Sequence, residues 1–223
     1  MAIDLYWGSG SPYSWRVLLA LEHKGLPYNS HLLQLAMQEQ KSPHMLAMNP
    51  RGRVPLLKDG DYVVFESLAI LYYLERKYPA NPLFGDSPEE GTVIMRVCCE
   101  YQAYIEPYLM RIVRALLYRQ GDPSSDESTY AMHMIAGEAR TIEGRLSKGP
   151  WIVGERPGAA DYMIYPGIKL LLHALALPEA RELSSRFLPV AANYPALDRW
   201  LQRVEALPGY DRTFPPHWRN VAS

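Results

Sequence analysis

The sequence of 223 residues predicts two domains of different class, an α/β layer ordered βαβαββα and then an all-α helical bundle. Three observations carry that expectation. Strand and helix signals alternate through residues 1–80. A stretch rich in proline, glycine and charge follows, "PANPLFGDSPEE" at 79–90. Beyond it, almost every apolar pattern has the helical period. The predicted domains are therefore 1–80 and 91–223, joined by a linker at 81–90.

"AIDLYW" is a short β-rich run that opens the first domain. In "SPYSWRVLLALEHKG" a helix starts at Ser11 as N-cap with Pro12 at its first position, and Gly25 falls where a left-handed C-terminal cap belongs. "YNSHLL" reads as a second strand, and a short helix opens at Ser42-Pro43 and stops before Asn49-Pro50. "VPLLKDGDYVVF" is a hairpin turning at Asp59-Gly60, and a helix capped at Ser67 closes the unit before Pro79. In the second half, helices are expected over about 88–118 and 126–146, then from near Gly158 and from Pro195. Pro107 lies inside the first of these and should kink it.

Composition excludes several functions. The formal charge is -1 and no basic block is long enough to follow a nucleic-acid backbone. Asp4 interrupts the first apolar run, so a secretory leader is not expected, and no apolar stretch reaches membrane-spanning length. Cys98 and Cys99 are adjacent within a predicted helix, which disfavours a mutual bridge. The histidines are scattered without ligand spacing, so no metal is assigned. A cytoplasmic location is the expectation.

Three spots in the first domain combine. Ser9, Ser11, Tyr13 and Ser14 stand where the first strand enters the first helix. Val54-Pro55 opens a strand after a loop, a place where a cis bond can turn backbone groups outward. Glu66 and Ser67 stand at a helix start, whose free N–H groups and positive dipole end favour a carboxylate. Together they suit a short extended peptide bearing an acid and a thiol, paired along the backbone beside Pro55. Singly, each has an ordinary reading: a helix cap, a strand-opening proline, a routine helix start.

The stretches "SPYSWRV", "NPRGRVPLLKDGDYVVFESLAILYYLERKYP", "GERPGAADYMIYP" and "YPALDRWLQRVEALPGY" resemble the glutathione S-transferase superfamily over nearly the whole chain. The first motif is similar to the serine-type classes (zeta, theta, delta), with "SWRV" zeta-like and the central block more theta-like. The resemblance implies a thioredoxin-like glutathione domain followed by a helical domain that shapes the electrophile pocket. It implies a cytosolic homodimer of detoxification, with glutathione as co-substrate and a small hydrophobic electrophile as partner. On this sequence Ser11 matches the catalytic serine, Val54-Pro55 the cis-proline step, and Glu66-Ser67 the γ-glutamyl site. Arg53 and Gln40 match positions that help hold the tripeptide, and Lys41 is a further candidate for its glycine carboxylate.

On this reading Ser11 attacks nothing; it donates a hydrogen bond to the glutathione sulfur while the helix dipole adds to the field. A free thiol near pKa 8.5 is a few per cent thiolate at neutral pH, and lowering it by ~2 units makes thiolate dominant. In the helical domain Tyr101, Tyr104, Tyr108, Arg111 and Ala115 share one face, continued by Tyr118. An aromatic, moderately polar cleft facing the first domain is the preferred reading, with Tyr104, Tyr108 and Arg111 for the electrophile; core packing is the plainer alternative. The segment "FPPHWRN" either folds over that cleft or forms a loose tail. Gly158 stands where the family usually has Ser or Thr, three residues before Asp161, which is read as a folding residue. Alternatives to conjugation are isomerisation, dehalogenation, ether cleavage or disulfide reduction by the same thiolate. A binding module without turnover is the alternative of another class.

Overall fold

A computed structural model describes residues 3–221. Two compact units emerge, one running to Leu83 and taking in the chain again from Pro208, the other spanning Phe84–Leu207. The sequence predicts one helical domain from 91 onward; in the structure the last segment packs with the first unit.

The first unit follows the order β1 (Ile3–Trp7), α1 (Pro12–Lys24), β2 (Tyr28–Leu32), α2 (Pro43–Met48), β3 (Leu56–Asp59), β4 (Tyr62–Phe65) and α3 (Ser67–Lys77). Its sheet has the order β2-β1-β3-β4, with β1 parallel to β2 and the other two pairings antiparallel. The β3–β4 hairpin turns at Gly60, whose φ of 63° a side chain would resist. Leu5 of β1 and its register partner Leu57 of β3 are buried, as are Leu18 and Leu21 of α1 and Ile70, Leu71 and Leu74 of α3. Lys24, at the end of α1, is buried yet satisfied: its ammonium donates to the carbonyls of Tyr78, Ala80 and Asn81 and pairs with Glu75 at 3.1 Å.

The second unit is a bundle of α4 (Pro88–Glu100), α5 (Glu106–Leu117), α6 (Asp126–Leu146), α7 (Ala159–Leu175) and α10 (Pro195–Glu205), with short helices α8 (Arg181–Ser184) and α9 (Val190–Asn193) between the last two. The helix expected over 88–118 is broken at Tyr101–Ile105 by a π-helical turn, after which Pro107 sits in the first turn of α5. A proline is tolerated there because its missing N–H is not needed. At the centre runs α7, with most of its residues buried. Gly167 lets it approach Tyr101: a Cβ at that position would lie 1.9 Å from the tyrosine oxygen.

The last segment of the chain, α11 (Tyr210–Thr213) and a 3-10 turn from Pro216, belongs to the first unit and lies on α1. Trp15 anchors it, with rings of Tyr210, Phe214 and Trp218 at 5.7–6.3 Å and an indole N–H donating to Thr213 Oγ1 at 2.9 Å.

Candidate active site

Residues 8–14 form the turn that leads from β1 into α1. Ser11 is the N-cap, with extended backbone angles, and its Oγ accepts from the Ser14 amide at 3.3 Å. Ser14 is wholly buried, and its own Oγ accepts from the Gly8 amide at 3.3 Å, which closes the turn from inside. Ser14 is therefore a structural residue. Ser11 stays half-buried, and its hydroxyl proton goes to none of the described residues. A capping serine uses its lone pair on the helix and keeps its O–H to offer elsewhere. The acceptor it would favour is an anion, because it stands at the positive end of a 13-residue helix.

The second spot is built by the loop 49–55. Asn49, buried, donates from Nδ2 to the Arg53 carbonyl at 3.0 Å and accepts from the Arg51 amide at 3.1 Å. The Val54-Pro55 bond is cis and delivers the chain into β3. Gly52, at φ 57°, packs against the 3-10 turn Glu39–Lys41: a Cβ there would meet Lys41 Cγ and Leu46 Cδ2 at 3.1 Å. That contact gathers Gln40 and Lys41 beside the loop that carries Arg53 and Val54. Gln40 Oε1 is buried and accepts from none of the described residues. Lys41 and Arg53 are exposed.

The third spot is the start of α3. Glu66 has φ 70° and ψ 113°, a conformation that costs a non-glycine residue on the order of 1–3 kcal/mol. No side chain caps this helix, and the N–H groups of its first turn have no intrahelical acceptor. Ser67 is 5% exposed, and its Oγ accepts from Arg16 Nη1 at 3.1 Å. Arg16 is a residue that sequence reasoning missed. It is wholly buried on α1, with its guanidinium over the Tyr13 ring at 4.8 Å. An arginine inside the apolar run of an amphipathic helix was the available signal, since such a charge is buried only with partners. Its fixed positive charge is hydrogen-bonded to the first residue of the helix start proposed for a carboxylate, and by donating to Ser67 Oγ it leaves that hydroxyl's own proton for another acceptor.

Tyr104, Tyr108 and Arg111 lie on the π turn and α5 of the second unit, Tyr104 and Arg111 exposed and Tyr108 half-buried. Tyr108 stands edge-on to Tyr130 of α6, with centroids 5.9 Å apart, and a hydrogen bond to that phenol raises its pKa. Tyr101 and Ala115, expected on the same face, are buried in the bundle instead. The π turn rotates the stripe, so that it is not continuous from Tyr101 onward.

Asp161 is buried at the start of α7. Its carboxylate accepts from the Gly158 amide at 3.0 Å, the Ile152 amide at 3.1 Å and the Trp200 indole at 2.7 Å. Burial outweighs these bonds and pushes its pKa up to about 6. Among the described residues no group of histidine, cysteine, aspartate and glutamate could hold a metal ion. No described helix is long and apolar enough to cross a membrane.

The glutathione S-transferase N-terminal domain family matches residues 10–77, and the C-terminal domain family matches residues 102–208. Glutathione S-transferase A of Pleuronectes platessa is 30% identical, over 97% of this chain and 92% of its own length. Maleylacetoacetate isomerase of Pseudomonas aeruginosa is 33% identical, over 74% of this chain and 79% of its own. The crystal structure of a glutathione S-transferase from the Antarctic clam Laternula elliptica superposes with a TM-score of 0.83 at 29% identity, covering 98% of this chain and 94% of that one.

Proposed function

The chain belongs to the glutathione S-transferase family, and from that premise we propose that it activates the thiol of glutathione for attack on small hydrophobic electrophiles. The observation that carries the reading is Ser11, a helix cap whose hydroxyl proton is uncommitted at the positive end of α1. The γ-glutamyl end of glutathione goes to Ser67 and the first turn of α3, with Glu66 taking its ammonium group. The cysteinyl backbone pairs with Val54 beside Pro55. Gln40, Lys41 and Arg53 hold the glycine end, and the exposed cations Lys41 and Arg53 support that choice because its carboxylate takes donors only. Glutathione enters as co-substrate, and no metal is used.

The chemistry follows from the site. The thiol proton leaves to solvent, the Ser11 O–H and the helix dipole hold the thiolate, and sulfur bonds to the electrophilic carbon as the carbon–halogen bond breaks and halide departs, or as a conjugated π pair is displaced and later protonated. Tyr104, Tyr108 and Arg111 are the residues proposed to receive the electrophile. The reading extends to a homodimer working in the cytoplasm on toxic electrophiles; light scattering on the purified protein checks the oligomer. The decisive experiment is turnover of glutathione with an aryl halide by wild type and Ser11→Ala. Product formation in wild type that falls about a hundredfold in the variant is expected. Equal rates in both would overturn the role of Ser11.

A second reading is cis–trans isomerisation through transient addition of the same thiolate. The zeta-like "SWRV" stretch and the likeness to a maleylacetoacetate isomerase favour it. It is separated by offering a cis-enone acid and following loss of the cis form without consumption of glutathione.

A further inference from the structure

The final segment brings a histidine onto the thiol-activating turn. His217 Nδ1 lies 2.5 Å from Ser9 Oγ. Its ring covers Gly10, where a Cβ would sit 2.8 Å from Cε1 and 3.2 Å from Nε2. Gly10, at φ 77°, is the residue directly before Ser11. The ring is held there by its neighbours: Trp218 packs edge-on against Trp15 at 5.7 Å, and Phe214 packs on Trp15 at 5.8 Å. Arg219 stands over Phe214 at 5.4 Å, and Arg212 pairs with Glu22 of α1. An imidazole so placed is not a chance surface contact, because an aromatic cluster on α1 fixes the backbone on both sides of it.

We propose that His217 is a specificity-determining residue of this site, donating from Nε2 to electrophiles whose conjugated carbonyl oxygen gains negative charge as the thiolate adds. The inference rests on the thiolate reading given above. The role requires Ser9 to donate to Nδ1, which leaves the ring proton on Nε2. Burial holds the ring's pKa below the ordinary histidine value, so the donor is neutral near pH 7 and survives the reaction unchanged. In the step itself a C–S bond forms at the β-carbon and the alkene π pair moves onto the carbonyl oxygen as an enolate. That oxygen accepts the Nε2 hydrogen bond, and a solvent proton then completes the α-carbon. An alkyl halide develops no such oxygen and has no use for the donor.

The test compares kcat/KM for a conjugated enone and for a benzylic halide in wild type, His217→Ala, His217→Gln and Ser9→Ala. The enone-to-halide ratio is expected to fall at least ~10-fold in His217→Ala, to recover in part in His217→Gln, whose amide is again a donor, and to fall less in Ser9→Ala. An unchanged ratio, whether both rates fall together or neither falls, overturns the proposal. The bound thiol is titrated on the same variants. A loss of thiolate in His217→Ala as large as in Ser11→Ala would place His217 on sulfur and also overturn it. A thiol that is not activated in wild type overturns the transferase reading and this inference together, whereas an activated thiol with an unchanged ratio overturns only the inference.

Discussion

Two helix starts in this protein use the same local device to opposite ends. At α7, Gly158 offers an amide to Asp161, and the carboxylate also takes the Ile152 amide and the Trp200 indole, all out of water. Every group there is committed, and the result is a fixed junction in the helical bundle. At α1, Ser11 accepts a single amide at 3.3 Å and remains half-exposed with its proton uncommitted. The start of α3 is more open still, with no side-chain cap and Glu66 in a strained conformation. A closed cap serves the fold; an open one leaves donors and the positive helix end free for the negative charge of the proposed ligand.

The contrast predicts which substitutions act on stability and which on chemistry. Asp161→Ala removes the acceptor of three buried donors and should cost about 3–5 kcal/mol of unfolding free energy, read from the denaturant midpoint. A loss below 1 kcal/mol would show that this cap is not closed. The pH dependence of the same site follows by linkage. Its folded pKa of about 6 lies above the ordinary carboxylate value of 3.8. The folded state therefore holds the proton more tightly, and this contribution is complete below pH 3.8 and lost as pH rises through 6. The stability advantage of wild type over Asp161→Asn should shrink by up to about 3 kcal/mol between pH 4 and 7, then stay flat. An advantage that grows over that range would contradict the assignment.

At the open starts the expected effects fall on the reaction. Ser11→Ala should lower kcat/KM about a hundredfold, equivalent to roughly 2.7 kcal/mol, while costing only about 1 kcal/mol of stability as a lost cap. Ser67→Ala should raise the glutathione KM about tenfold with a smaller change in kcat, because it removes one hydrogen bond to a charged group and the acceptor of Arg16. Loss of kcat with KM intact would move Ser67 from binding to chemistry.

Much of this was legible in the sequence because its signals were local. Ser11-Pro12 and Gly25 bound α1, Asp59-Gly60 set the hairpin, and the helix at 126–146 carried a clear period. The cis bond at Val54-Pro55 was open to expectation for the same reason. What escaped depends on tertiary placement. Arg16 looks like one more helix charge until Ser67, far along the chain, is seen to accept from it. Tyr101 reads as part of an exposed stripe because a π turn adds a residue to the helical period, and no rule of 3.6 anticipates that. The segment around His217 gave no periodicity, and its seat is decided by the aromatic surface of Trp15.

The most direct test of the central claim is the ultraviolet absorbance of thiolate for bound glutathione, followed across pH in wild type and Ser11→Ala. The account predicts a thiol that titrates about 2 units below its free value near 8.5 in wild type and returns most of the way in the variant. An unshifted thiol in wild type, with glutathione bound, would contradict it and leave a binding module without an activated nucleophile.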